Sequence, residues 1–490
     1  MSASAFELLG ALIACGGTGA ALVLIEPRHR YAAMGVGLAA AVGLLVGEVW
    51  GEDRFEQFTS QPGALVLALV LGGTALGATA ATFQRVPAAF AIAAFAVIPL
   101  RLPIQIGGET NFLLVPLYGV IAGGFLRGLW LCMVRREDEL RTSSAPRMGE
   151  SPVVRYLSIA LAISLVVYAV GIAWSDNPTN AIRTVAFFLA PFASMLALLR
   201  DVRWHRKLVG QVLLASVIVA VGFALLGIWQ YLTRDLLLNK DLKDANELHL
   251  YFRVNSLFRD PNVLGRYLAF AIVGVGAWIA WQRPRPEAIV GLVAAAIMLV
   301  ALTLTYSQTS FAALAVGLAL LVWLRFGARG FAVSAALAIA ATGVALVAGG
   351  PSADESVDKG RADLAEASSG RTNLITGGID LFQDAPIAGQ GSGSFATAYR
   401  REVDMVRRPT SHTEPVTVAA EQGLIGFIPY LAVLGLAGLL FFRPWPSRNN
   451  ARAGVAAAFA VLFVHSLGYA GFAIDPATWA LLALGFALRE

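Results

Sequence analysis

The chain is poor in charge. Asp, Glu, Lys and Arg make up 14% of its 490 residues, where a soluble domain carries about a quarter. It is also poor in cysteine and histidine, with two and five. Cys15 and Cys132 both fall in apolar runs, which excludes a disulfide scaffold, and no metal-ligand spacing is present. The alternating segments of about ten residues that build a transmembrane β-barrel are missing as well. The net charge of +5 is scattered between apolar runs and forms no basic patch for nucleic acid. What fills the chain instead is hydrophobic residues, 57% of the total. Apolar runs of about 17 or more residues recur along most of the length, so the expected fold class is all-α. The first run, 6–25, has no basic segment before it and no small-residue cleavage site after it, so it is expected to be a mature helix rather than a signal peptide.

About fifteen apolar segments can be marked: 6–25, 31–49, 64–82, 86–100, 112–133, 155–174, 183–199, 208–231, 263–282, 288–305, 309–326, 331–348, 416–442, 452–471 and 476–488. Segment 86–100 is short and flanked by proline, which suits a re-entrant element. Segments 288–305 and 309–326 are separated by so few residues that a tight hairpin is expected. The picture is a polytopic helical bundle of about 12–15 spans. N-terminal helices occupy 1–154, core helices 155–348 with a loop at 233–262, a long loop 349–415, and C-terminal helices 416–490.

The short loops alternate in charge. One set holds Arg28 and Arg30, Arg85, Arg135 and Arg136, Arg200 to Lys207, Arg283 and Arg285, Arg325 and Arg329, and Arg443 to Arg452. The other set is acidic or neutral, as at Asp176 and Asp475. Excess positive charge marks the cytoplasmic side, which puts both long loops, 233–262 and 349–415, outside. Their arginines are then on the wrong side for topology alone and are expected to serve something anionic.

Three stretches carry residues suited to chemistry on a polar substrate. The first runs from Arg253 through Arg259, Asp260-Pro261-Asn262 and Arg266. Asp-Pro-Asn is a helix-start signal, and a helix N-terminus with guanidinium forks around it suits phosphate. The competing reading has these arginines reaching to lipid headgroups or pairing with Asp235, Asp241 and Glu247. The second holds Arg371 and the turn Gly389-Gln390-Gly391-Ser392-Gly393. No Lys-Ser/Thr follows, so it is not a nucleotide phosphate loop, and the plain reading is a turn between two short helices. The third is His412, with Glu414 and Glu421 after it. An imidazole suits proton abstraction near neutral pH. The two carboxylates either orient it or cap the next helix. His249 is a second external candidate, whereas His465, within a span, reads as a packed structural histidine.

At these residues the chain resembles the O-antigen ligase and Wzy polymerase superfamily of bacterial envelope glycosyltransferases. Arg253 to Leu268 resembles its arginine followed by a Phe-x-Asp/Asn-Pro-Asn turn. Arg371, Ile379, Pro386 and Gly389-Gln390-Gly391 resemble its stretch from arginine to Pro-x-x-Gly-x-Gly. His412 and Glu421-Gln422-Gly423-Leu424-Ile425-Gly426 resemble its histidine and Glu-x-Gly-Leu-x-Gly. Tyr306 to Ser310 is similar to its Ser-Arg site, with Gln308 where an arginine is common, and the histidine is followed by Thr413 rather than Asn. The order of the motifs agrees, from about Thr184 onward.

The resemblance implies a GT-C type fold in the bacterial inner membrane with its active site facing the periplasm. It implies transfer of a glycan from an undecaprenyl-diphosphate-linked donor to a hydroxyl on lipid A–core or another glycan, with no cofactor, metal or nucleic acid. Arg253, Arg371 and His412 are then the catalytic candidates. Arg259, Arg266, Asn262, Gln308, Gly389, Gly391 and Glu421 are candidates for holding the pyrophosphate or glycan. A ligase is placed ahead of a Wzy-type polymerase. A protein O-oligosaccharyltransferase is placed lower because the chain ends at Glu490, directly after its last apolar run. A transporter or flippase is the rival from another class. It requires ionisable groups deep in the membrane, whereas Glu48 and Arg127 lie near segment ends.

Overall fold

The structure, a computed structural model, describes residues 3–49, 60–106, 109–134, 151–237, 242–243, 246, 252–281, 286–348, 371–402 and 413–489. In chain order the elements are α1 (Ala5–Val23), α2 (Pro27–Val49), α3 (Pro62–Arg85), α4 (Pro87–Val97), β1 (Leu102–Ile106), β2 (Glu109–Leu113), α5 (Val115–Met133), α6 (Pro152–Val170), α7 (Pro178–Thr184), α8 (Ala190–Leu199), α9 (Arg206–Thr233), α10 (Pro261–Ala280), α11 (Pro286–Leu304), α12 (Gln308–Ala348), α13 (Arg371–Asp384), α14 (Phe395–Glu402), α15 (Glu414–Phe442), α16 (Asn450–Ser466) and α17 (Pro476–Arg489). Helices dominate because in hydrocarbon every backbone group needs a partner within the chain, and a helix supplies it locally. Many of them open on proline, whose missing N–H costs nothing in a first turn. α10 is the clearest case: Pro261 follows the cap Asp260, whose Oδ1 accepts from the Asn262 N–H at 2.7 Å.

The chain is an all-α polytopic membrane protein. Among the described residues, 11 helices are long and apolar enough to cross a membrane, and α4, α16 and α17 are shorter apolar helices. α7 and α8 form one such span through a π turn, Val185–Leu189. The expected segments 309–326 and 331–348 are two helical stretches within α12, separated by non-helical backbone at Gly327. Gly327 has φ 71° and ψ −168°, which ends the first stretch before the second begins. Segment 86–100 is shortened to the 11 residues of α4 and is followed by a two-stranded antiparallel ribbon that pairs Leu102 with Leu113 and Ile106 with Glu109. That ribbon is absent from the sequence reading because Pro103 interrupts its alternation.

Among the described residues two large apolar cores are packed side by side, and a small third one joins α13, α14 and the start of α15. One large core gathers α1, α2, α5, α6, α8 and α17. The other gathers α9, α10, α11 and α12. α16 joins them, giving Ala456, Phe459 and Leu462 to the first core and Ala453, Ala457 and Val461 to the second. Small residues let backbones approach where lipid offers no hydrophobic drive. A Cβ on Gly17 of α1 would lie 2.6 Å from the Ala33 carbonyl oxygen of α2. Glu48, near the end of α2, is paired with Arg183 of α7. The tight connection expected between α11 and α12 is a corner of three residues, 305–307, and both helices pack against α10.

Candidate functional site at the loop end of the bundle

α10, α12, α15 and α17 all begin at one end of the bundle, the end that the arginine pattern assigns to the exterior. Arg253 is locked there by its backbone and side chain. Its N–H donates to Asn246 Oδ1 at 3.1 Å, and its carbonyl accepts from Asn246 Nδ2 at 3.0 Å. Its Nε donates to the Thr305 carbonyl at 3.0 Å, which ties the loop before α10 to the corner between α11 and α12. Among the described residues that is the one hydrogen bond the guanidinium makes, so its Nη groups remain for another acceptor.

Thr305 starts a buried polar chain. Ser307 Oγ donates to Asn262 Oδ1 at 2.7 Å and lies 2.8 Å from Ser310 Oγ, which in turn lies 3.1 Å from His465 Nε2. Asn262 is thus spent on fixing α10 to α12, and His465 is the packed structural histidine expected. Gln308 is exposed at the first position of α12, and Arg259 is exposed just before α10.

One turn along α10 from Asn262, Arg266 is buried and paired with Asp475, just ahead of α17. Its Nη1 is buried with no hydrogen-bond partner among the described residues. Arg101, between α4 and β1, joins this group. Its guanidinium sits 5.7 Å from the Phe258 ring centroid, and its Nε is buried without a partner among the described residues. Burial pushes the Arg101 pKa down, Asp475 pulls it back up, and Arg266 adds to the lowering. Tyr469, in the connection from α16 to α17, bonds to the Asp260 side chain. Its pKa is raised by burial first and by Asp260 second. Arg101, Asp475 and Tyr469 were all missed in the sequence. The signal for Arg101 was an arginine after a short apolar run on the side where arginine is unexpected.

The start of α15 lies against the same cluster. Glu414 Oε2 accepts from the Gly471 N–H at 2.6 Å, and a Cβ on Gly471 would lie 3.6 Å from Arg266 Nη1. Glu414 therefore holds the connection before α17. His412 lies outside the described residues, as does His249. Arg371 opens α13, but its side chain is not described.

The glycine turn is a wedge between helices. In a straight helix the N–H groups of Leu424 and Ile425 would bond to the carbonyls of Ala420 and Glu421. Here α15 opens at Gly423, with φ 56°, and all four groups turn to the loop. Leu424 donates to Pro386 O at 2.8 Å and Ile425 to Ile387 O at 3.1 Å, while Gln390 donates to Ala420 O at 2.9 Å and Gly391 to Glu421 O at 2.8 Å. The Glu421 carboxylate accepts from the N–H groups of Gly393 at 2.9 Å and Phe395 at 3.0 Å. On the other side Ser175 Oγ donates to the Ser392 carbonyl at 2.7 Å, and Asn180 Nδ2 to that of Gly393 at 3.0 Å. Gly389 and Gly391 have φ of 68° and 94°. A Cβ at Gly391 would stand 2.3 Å from Ser175 Cα. The turn links two short helices, α13 and α14, as read from the sequence. Gly389, Gly391 and Glu421 act in its docking.

The arrangement thus offers guanidinium N–H donors at a partly buried helix N-terminus, held by carboxylates and backbone. Guanidinium donors of this kind suit the oxygens of an anion. A family model described as O-antigen ligase (Wzy_C) matches residues 293–431. That stretch takes in Gln308, Arg371, Gly389, Gly391, His412 and Glu421, and leaves out Arg253, Arg259, Asn262 and Arg266. No curated protein matches the chain. The matched segment, which spans the corner before α12, the docked glycine turn and the opened start of α15, is thus an O-antigen ligase (Wzy_C) region within the chain.

Proposed function

We propose that the protein is a membrane glycosyltransferase of the O-antigen ligase type. It moves a glycan from an undecaprenyl-diphosphate-linked donor to an acceptor hydroxyl, at the periplasmic face of the bacterial inner membrane. The observation that carries this reading is the set of arginines at one end of the bundle. Arg253 has Nη groups that bond to no described residue, and Arg266 and Arg101 each have a buried N–H without a described partner. A buried donor left unmade costs about 1–3 kcal/mol, a cost an anionic substrate would relieve. At an external site no cytoplasmic nucleotide sugar is at hand, so the donor arrives on lipid, and its leaving group is a diphosphate.

In this mechanism the acceptor oxygen attacks the anomeric carbon and forms the new glycosidic bond. The bond from that carbon to the lipid diphosphate breaks, and the electron pair leaves on the diphosphate. Arg253 and Arg371 clamp that group, with Arg259 or Arg266 assisting, and stabilise charge as it develops without need of a divalent cation. His412 takes the hydroxyl proton. Because attack is direct, the anomeric configuration inverts.

The test is transfer by the purified protein in detergent, given lipid-linked repeat units with and without lipid A–core. Product on the added acceptor supports a ligase. A ladder of longer lipid-linked chains without acceptor indicates a Wzy-type polymerase. No transfer under either condition, with lipid-linked glycan moved across vesicles instead, returns the protein to the transporter class.

A further inference from the structure

The opposite end of the bundle holds a second charged feature that the transfer reaction does not use. A cavity of about 340 Å³ opens there between α4, α5 and the connection from α8 to α9. Its wall carries Arg127 of α5, Arg203 and His205 of the connection, Asp201, and Pro87 and Ala88 of α4. The volume far exceeds the room one water needs.

Among the described lining residues Asp201 is the one carboxylate, and it is already engaged. Arg30 Nη2 reaches its two oxygens at 2.6 and 2.7 Å, and the Tyr31 hydroxyl donates to it at 3.0 Å. Arg30 thus occupies the carboxylate, and the guanidiniums of Arg127 and Arg203 line the same cavity. Arg127 Nε is buried with no hydrogen-bond partner among the described residues. Arg30 is fully buried, and its Nε and Nη1 also lack one there. Two helix N-termini add to this positive field. α4 begins in the wall with no side chain capping it. α9 is capped by His205, whose Nδ1 accepts from the Leu208 N–H at 3.2 Å. That bond leaves Nε2 as the N–H of the neutral ring.

We propose that this cavity binds a phosphate-bearing anion at the end expected to face the cytoplasm. Donors come from three separate walls: α5, the α8–α9 connection and the start of α4. A phosphate presents oxygens in several directions and can accept from all three, whereas a carboxylate presents two in one plane. The shared chemistry fits both an anionic phospholipid headgroup of that leaflet and free inorganic phosphate.

The test uses the full-length protein, purified in detergent and stripped of lipid. Retention of phosphatidylglycerol against phosphatidylcholine is read by native mass spectrometry. In a second arm, the thermal unfolding midpoint is read in inorganic phosphate against chloride at equal ionic strength. Arg127→Gln and Arg203→Gln each weaken binding about tenfold, while Lys207→Gln, outside the cavity wall, leaves it unchanged. Arg203 is exposed, so its replacement does not threaten the fold. Selective retention of phosphatidylglycerol that both arginine variants lose supports a lipid headgroup. A phosphate-dependent rise in midpoint without lipid selectivity, lost in the same variants, supports the free ion. Binding in neither arm, or binding unchanged in Arg203→Gln, overturns the proposal.

Discussion

Arg266, in the second turn of α10, and Asp475, just before α17, form an ion pair almost closed to solvent, with side chains 4% and 7% exposed. The pair joins two helices far apart in the chain, so losing one member leaves a buried charge alone. Asp475→Asn is expected to cost about 3–5 kcal/mol, seen as a lower unfolding midpoint in detergent. The double variant Arg266→Met/Asp475→Leu should recover most of that stability, since matched apolar groups avoid the desolvation cost. Its transfer activity should stay low. A single variant as stable as the native protein would show that the pair holds nothing.

Arg253→Lys keeps the charge but cannot keep both the Thr305 contact and a forked contact to diphosphate. Transfer should fall about 100-fold, with the unfolding midpoint little changed. Steady-state assays across donor concentrations check this, and near-native turnover would remove Arg253 from the clamp.

Gly391→Ala adds a methyl group where the backbone is left-handed and Ser175 is already in contact. The strain alone is worth about 1–2 kcal/mol, and the overlap with Ser175 adds to it. The expected variant inserts in the membrane but exposes residues 386–393 to protease and loses transfer. An uncleaved, active variant would mean the turn does not need its docked position.

A general base must be neutral to accept a proton, and an ordinary imidazole titrates near about 6.5. The transfer rate should therefore rise as pH increases through that region. His412→Ala should abolish transfer while the protein stays folded. A flat profile between about pH 5.5 and 8, or an active alanine variant, would exclude the imidazole as base.

The spans were the easiest part to read, because hydrophobic length is a property of consecutive residues. Segment 208–231 became α9, Arg206–Thr233, and Asp260-Pro261-Asn262 opens α10 as its capping chemistry requires. The structure links Arg253, Asn262 and Arg266, which belong to one local motif, to the α11–α12 corner and α17. Arg101 and Asp475 were not legible, since their roles depend on α4, α10 and α17 meeting, which no local pattern encodes. Glu421 shows a different limit. Its sequence position before Gly-Leu-Ile-Gly drew it toward substrate, but both carboxylate oxygens hold the backbone of Gly393 and Phe395. Arg371's side chain and His412 lie outside the described residues.

The break at Gly423 has a mechanical consequence. Four main-chain groups of a membrane helix are completed only by residues 386–391, so pulling that turn away would strand them in hydrocarbon at several kcal/mol apiece. The turn therefore works as a latch on α15. A force applied to α13 or α14 is transmitted straight into the axis of α15.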